Sequence, residues 1–278
     1  MKYQAFFSKE LELVGSKLRD ILKKREAKPH KIHAAMRYSV LSGGKRFRPV
    51  LALAACEACG GKSKDALIPA CAIELIHTYS LIHDDLPALD NDDVRRGKPT
   101  CHKKFNEATA VMAGDGLLTL AFEILSDIRP TTRIAGILKE IAVAVGVNGM
   151  IGGQVEDLEN SRKTGGLSEL DFISIHKTGK LIRVSAVAGA FAAGASGKAA
   201  SSIARYGECL GLAFQVVDDI LDKDGYCRVI SRDQAAQKAH ILIDVAKHEA
   251  LRFGKRAKKL VFLADFLRSR IPDNIRKW

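Results

Sequence analysis

Phe214-Gln215-Val216-Val217-Asp218-Asp219-Ile220-Leu221-Asp222 sets three aspartates and an amide into an otherwise apolar run. At the helical period, Asp218 and Asp222 share one face, with Gln215 one turn earlier and Asp219 beside them. A solvated helix face is the ordinary explanation for such a stripe. Here the neighbours Leu210, Leu212, Phe214, Val216, Val217, Ile220 and Leu221 are apolar, which argues for a helix inside a core. Carboxylates in apolar surroundings are costly unless something positive pairs with them. Hard divalent cations such as Mg²⁺ are their usual partners, and these ions bridge to phosphate oxygens.

A second aspartate group lies upstream, His83-Asp84-Asp85-Leu86-Pro87-Ala88-Leu89-Asp90, followed by Asn91-Asp92-Asp93-Val94-Arg95-Arg96-Gly97-Lys98. On an unbroken helix Asp84 and Asp90 would diverge by roughly 240°. Pro87 disrupts the helix, and a loosened turn brings Asp90 back toward Asp84. Glu74, His77, Leu81 and Asp84 fall at helical spacing, which puts His77 on the face of Asp84. The two aspartate groups read as two walls of one cavity that holds metal ions and a polyphosphate.

A third element is Ser42-Gly43-Gly44-Lys45-Arg46-Phe47-Arg48-Pro49. A glycine turn, three cations and a helix start at Pro49 make an anion site from backbone N–H groups and charge together. Arg95, Arg96 and Lys98 form a second cationic group. Two cationic sites beside two metal sites suggest two phosphorylated substrates.

The rest of the chain agrees with an all-α protein. The 278 residues contain 7 prolines and 6% aromatics, and strand-type alternation is absent. Apolar periodicity predicts helices over 4–26, 31–42, 49–60, 63–86, 106–127, 132–147, 149–160, 168–194 with a break near Gly179, 198–222, 232–253 and 256–270. No linker, repeat or low-complexity tract interrupts them, so a large single-domain helical bundle spanning 1–278 is expected. No apolar run is read as reaching membrane-spanning length and the N-terminus has no signal-peptide core, so no membrane insertion and a cytoplasmic location are expected. Cys56 and Cys59 form the one C-x-x-C among six cysteines, read as small core residues rather than a zinc or redox site. The net charge is +12, and residues 247–278 carry ten Lys/Arg against three acids. With no base-reading motif or aromatic stacking set, this is read as helix-surface charge rather than nucleic-acid binding.

Five stretches occur in order: LSGGKRFRP at 41–49, ELIHTYSLIHDDLPALDNDDVRRGKPT at 74–100, GGQVEDL at 152–158, HKTGKLI at 176–182 and GLAFQVVDDILD at 211–222. Together they resemble the trans-isoprenyl diphosphate synthases, and among these the bacterial farnesyl diphosphate synthases (geranyltranstransferases). The resemblance implies a helical bundle of the isoprenoid synthase type with a central cavity, and a homodimer. It implies three Mg²⁺ ions, with Mn²⁺ as a substitute, held by Asp84, Asp85, Asp90, Asp218, Asp219 and Asp222. Arg95, Lys177 and the C-terminal cations would help neutralise the allylic diphosphate. Lys45, Arg48, His77 and Arg96 would hold isopentenyl diphosphate. Thr178 and Gln215 would flank an allylic carbocation. Tyr79 and Ser80 lie roughly 6–8 Å down the helix from Asp84. An aromatic at that place is associated in the family with a short product, which favours farnesyl over geranylgeranyl diphosphate.

One stretch departs from the resemblance. After Asp222 the family continues with a longer loop carrying a Gly-Lys and, further on, Thr-Tyr-Pro. Here Lys223-Asp224-Gly225-Tyr226-Cys227-Arg228-Val229-Ile230-Ser231-Arg232-Asp233 is shorter and has neither. Lys223, Arg228 and Arg232 are the candidate replacements for the missing cation. Two other functions remain open at this point. One is a metal-dependent phosphohydrolase, suggested by the spacing of His77, His83 and Asp84. The other is a non-catalytic partner subunit, suggested by the short loop.

Overall fold

The computed structural model describes residues 3–24, 28–160 and 166–272. It divides into two compact units: Met1–Val50 with Leu67–Ile134, and Leu51–Ala66 with Ala135–Trp278. The expected all-α class is what the chain adopts.

The first unit contains α1 (Tyr3–Phe6), α2 (Ser8–Lys24), α3 (His30–Leu41), the start of α4 (Phe47–Ala58), α5 (Leu67–Asp84), α6 (Cys101–Lys104) and α7 (Glu107–Leu125). Helix α5 packs against α7, and α2 and α3 close over them. Leu75 and Ile76 of α5, Leu117 and Ile124 of α7 and Val14 and Leu18 of α2 are fully buried. Each fully buried aliphatic side chain contributes about 1.5–3 kcal/mol. The α5–α7 contact is close: a Cβ on Gly114 would lie 2.1 Å from the His83 imidazole.

The second unit contains the remainder of α4, then α8 (Ile134–Val145), α9 (Met150–Asn160), α10 (Leu167–Ile173), α11 (Lys180–Ala192), α12 (Gly197–Asp222), α13 (Tyr226–Val229), α14 (Arg232–Leu251) and α15 (Lys258–Ser269). Helix α12 packs against α11 and α14. The buried Tyr206 hydroxyl donates to the Leu260 carbonyl at 2.8 Å, which ties α12 to α15. A π-helical turn over Ser174–Gly179 joins α10 to α11, where the break near Gly179 was expected. There Gly179 and Gly211 face each other so closely that a Cβ on Gly211 would lie 2.9 Å from the Gly179 Cα. Side chains at this crossing would push α12 away.

Three readings need correction. Val94–Arg95 and Lys98–Pro99 form a two-stranded antiparallel hairpin. Its turn residues, Arg96 and Gly97, both have positive φ, as a tight two-residue hairpin loop requires. Two residues per strand are too few for alternation to show. The short helices α6 and α13 were also absent from the sequence reading, because single turns carry no period. Finally, Ser63–Asp84, Glu107–Leu125 and Thr131–Glu159 are helical stretches long and apolar enough to cross a membrane by length and composition. Single polar residues interrupt each stretch, so no unbroken apolar run stands out in the sequence.

Candidate active site

In the first unit, α5 ends at Asp84 and the chain turns back on itself. The Asp90 N–H donates to the Asp84 carbonyl at 2.9 Å, and the Asn91 N–H to the Leu86 carbonyl at 3.1 Å. Pro87 thus does what the sequence suggested: the two aspartates, six positions apart, become neighbours. Asp85 is buried, at 3% exposure, and accepts from Arg95 Nε at 2.5 Å. Burial pushes its carboxyl above the usual range, and Arg95 opposes that. Arg95 also reaches Asp92 at 3.1 Å. The hairpin therefore brings a guanidinium onto the aspartates.

The glycine turn builds the second feature of this unit. Gly43 and Gly44 have positive φ, and the Arg96 guanidinium lies over Gly44, where a Cβ would come within 2.7 Å. Arg96 donates to the Gly43 carbonyl. The two cationic groups read separately in the sequence are thus split differently. Arg96 joins the glycine turn, while Arg95 stays with the aspartates. Of the three cations after the turn, Arg46 points inward, pairing with the buried Glu74 and donating to the Val40 carbonyl. Arg48 Nη1 lies 3.4 Å from His77 Nε2. Burial, then Arg48, Arg96, Arg46 and Arg95, hold the His77 pKa well below its usual value. A neutral imidazole that accepts at Nε2 carries its proton on Nδ1 and can donate it to an anion. Lys45 is exposed beside them.

Tyr79 is buried, and its ring meets the His83 imidazole edge-on at 5.7 Å. His83 Nε2 lies 3.2 Å from the Val111 carbonyl of α7, so the tyrosine rests on a fixed neighbour. The Tyr79 hydroxyl is buried with no hydrogen-bond partner, and burial raises its pKa to about 12. Ser80 instead donates to the His77 carbonyl at 3.0 Å.

In the second unit, the π-helical turn presents Lys177 and Thr178. Lys177 Nζ pairs with Asp157 of α9 at 2.6 Å. The Thr178 hydroxyl donates to Gln215 Oε1 at 2.9 Å, and Gln215 Nε2 donates to Asp219 Oδ1 at 2.8 Å. Asp219 Oδ2 accepts from the Tyr226 N–H at 3.0 Å. Burial raises the Asp219 pKa, while these two donors lower it. Asp218 pairs with Arg270 at 2.7 Å, and Asp222 is exposed at the end of α12. Sequence reasoning missed Asp157, Tyr226 and Arg270, which no local spacing connects to the aspartates. Of the loop cations, Arg228 pairs with Asp224 and Arg232 donates to the Ile220 carbonyl at 3.2 Å. Lys223 is exposed in a left-handed conformation that ends α12. The C-terminal cations Arg276 and Lys277 lie outside the described residues.

The carboxylate sets suit a hard divalent cation, since every donor is an oxygen and they come in clusters. Among the described residues no three such side chains are already gathered as a metal site. Asp85 and Asp218 are instead neutralised by Arg95 and Arg270. Asp84 and Asp90 belong to the carboxylates of the first unit, and Asp222 to those of the second.

Comparison with known proteins agrees with this chemistry. The family described as Polyprenyl synthetase matches residues 29–243. A farnesyl diphosphate synthase from Geobacillus stearothermophilus is 44% identical over 248 residues, 86% of this chain and 83% of that one. A heterodimeric geranylgeranyl pyrophosphate synthase large subunit 1 from Arabidopsis thaliana is 49% identical over 228 residues, but the match covers 79% of this chain and only 61% of the longer relative. The crystal structure of an FPP/GFPP synthase from Zymomonas mobilis superposes with a TM-score of 0.90 at 35% identity, covering 95% of this chain and 98% of that one. With the match spanning both aspartate clusters and the glycine turn, the chain belongs to the polyprenyl synthetase family, whose members transfer prenyl groups.

Proposed function

We propose that this chain is a short-chain prenyltransferase that condenses isopentenyl diphosphate with an allylic diphosphate, dimethylallyl or geranyl, to give farnesyl diphosphate and diphosphate. The observation that carries the reading is the division of labour in the first unit. Arg95 serves the aspartates, while Arg48, Arg96 and a neutral His77 gather at the glycine turn as an anion site without carboxylates of their own, apart from Glu74, which Arg46 neutralises. Two anion-handling groups of different character suit two diphosphates with different fates.

Asp84, Asp85, Asp90, Asp218, Asp219 and Asp222 would hold Mg²⁺, taken as three ions, with Mn²⁺ as a substitute. Bound there, the ions would neutralise charge on the leaving diphosphate. Arg95 and Lys177 add positive charge for the same purpose, and Lys223 takes the place of the missing loop cation. The allylic C–O bond breaks and diphosphate leaves with the electron pair. The isopentenyl double bond, oriented by Lys45, Arg48, His77 and Arg96, attacks the cation. The proton then lost passes to the diphosphate. The Thr178 and Gln215 oxygens stabilise the cation by their dipoles, and apolar helices keep water from capturing it. Tyr79 limits the product to fifteen carbons. Relatives are named for both farnesyl and geranylgeranyl products, so the ring's rigid seat on His83 is what favours the shorter one.

The chain acts as one catalytic domain, supported by a family match that runs through both units. It acts as a homodimer in the cytoplasm. Val143 on α8, Val147 in the turn that follows it, 74% exposed, and Ile151, Val155 and Leu158 on α9 are exposed apolar side chains, and such groups suit burial against a second copy. Six free cysteines suit a reducing compartment. The short connection after Asp222 favours one other reading, a partner subunit without activity of its own. Purified chain incubated with Mg²⁺, isopentenyl and geranyl diphosphates decides between them. Farnesyl diphosphate formation supports the proposal. Phosphate release without elongation, or no turnover until another synthase is added, refutes it.

A further inference from the structure

The connection after α12 is short, yet it is fixed at several points. Tyr226 is fully buried. Its hydroxyl donates to the Asp171 carboxylate of α10. Lys238 of α14 donates to both oxygens of Asp171, at 2.6 and 2.9 Å, and its ammonium lies 5.0 Å from the centre of the Tyr226 ring. Tyr226 in turn donates its backbone N–H to Asp219. Gly225 has a φ of 48°, and a Cβ there would meet the Asp219 carboxylate at 2.0 Å. An unbroken series of contacts thus runs from Lys238 through Asp171, Tyr226, Asp219 and Gln215 to Thr178.

From this series we infer that Asp171, Tyr226 and Lys238 form a clasp that positions the second aspartate cluster, doing with a short connection what a longer loop would otherwise do. None of the three touches substrate; they are positioning residues. The clasp fixes the backbone N–H of Tyr226, and with it both oxygens of Asp219 and the rotamer of Gln215. Groups that orient ligands in this way typically matter by 10–100-fold. The inference deepens the prenyltransfer reading and rests on it for the identity of the diphosphate.

Lys238→Met removes the charge that holds Asp171 while keeping the length of the side chain. Lys238→Arg restores a donor to both oxygens. Calorimetric binding of inorganic diphosphate in the presence of Mg²⁺ reads the cluster without turnover. Lys238→Met is expected to weaken it roughly 10-fold, with Lys238→Arg within about twofold of the parent. In turnover, Lys238→Met raises the allylic KM by a similar factor and leaves the isopentenyl KM unchanged. Tyr226→Phe, which keeps the backbone N–H and loses the hydroxyl that meets Asp171 and Ser174, gives the same pattern more weakly. Equal diphosphate binding in the parent and Lys238→Met overturns the clasp. So does a parallel rise in both KM values with a fall in thermal stability, the mark of a merely structural contact. A parent that binds diphosphate in the clasp-dependent way but never elongates a prenyl chain overturns the prenyltransfer reading and leaves the clasp standing.

Discussion

The two aspartate clusters are built by opposite means. In the first, the partners are local. Asp90, six positions on, folds back onto Asp84, and Arg95 reaches Asp85 from ten positions on. In the second, the aspartates lie along an uninterrupted helix; Asp219 has near partners in Gln215 and Tyr226, but the charged groups that hold the cluster come from far away. Arg270 covers Asp218, and Asp171 and Lys238 hold the tyrosine that caps Asp219. The first cluster is shaped by its own loop. The second is a regular helix whose chemistry is set by what packs around it.

The largest effect expected from this contrast lies in the first unit. Arg46 and Glu74 form a buried pair, with side chains 11% and 2% exposed. Glu74→Ala leaves a buried guanidinium unpaired and should destabilise the protein by about 3 kcal/mol. The exposed Arg19–Glu12 pair should contribute less than about 1 kcal/mol. Urea titration of the two variants checks this, and equal losses would mean that burial is not what makes the Arg46 pair matter. Gly225→Ala should destabilise by about 2 kcal/mol, because it combines a strained φ with a collision against Asp219. Gly97→Ala, with a φ of 73° but nothing within 4 Å, should pay the backbone penalty alone. If Gly225→Ala is as mild as Gly97→Ala, the second cluster is not held by its connection.

Tyr79→Ala should open space below the first cluster and move the product toward longer chains. Chromatography of dephosphorylated products reads this directly. An active variant with an unchanged product would make Tyr79 a packing residue only.

The smallest effect concerns pH. His77 is held neutral, so its folded pKa lies below its unfolded value of about 6.5. Between those two values the unfolded chain binds the extra proton. The histidine's contribution is therefore complete above about pH 6.5 and is lost as pH falls below it, at up to about 1.4 kcal/mol per pH unit. His77→Gln should flatten that part of the stability profile between about pH 5 and 7. An unchanged slope would show that the arginines around it do not exclude the proton.

The same contrast governs how much the amino-acid sequence revealed. Helix α12 announced itself through period and composition, and the Asp84–Asp90 turn through Pro87. Both signals lie within a few residues. The division of Arg95 and Arg96 between two sites could not be seen, because adjacent residues part company only once the hairpin turn is formed. Asp171, Lys238 and Arg270 carry no local signal at all, and Asp157 lies in a recognisable stretch that does not reveal its partner. Each is an ordinary charged residue on a helix, or just past one, until packing brings a partner to it. The Lys177–Asp157 pair, twenty positions apart, shows how quickly such information fades with separation.

The proposed function requires both clusters to act on one diphosphate in one step, and a double-mutant cycle tests that requirement most directly. Asp84→Asn and Asp218→Asn should each reduce single-turnover elongation of geranyl diphosphate by about a hundredfold, comparable to loss of one strong electrostatic stabiliser. Groups that act as a unit are strongly non-additive. The double variant should therefore be no more than a few-fold slower than either single one. A multiplicative loss of about ten-thousandfold would contradict the account, because it would mean that the two clusters contribute independently rather than as a unit.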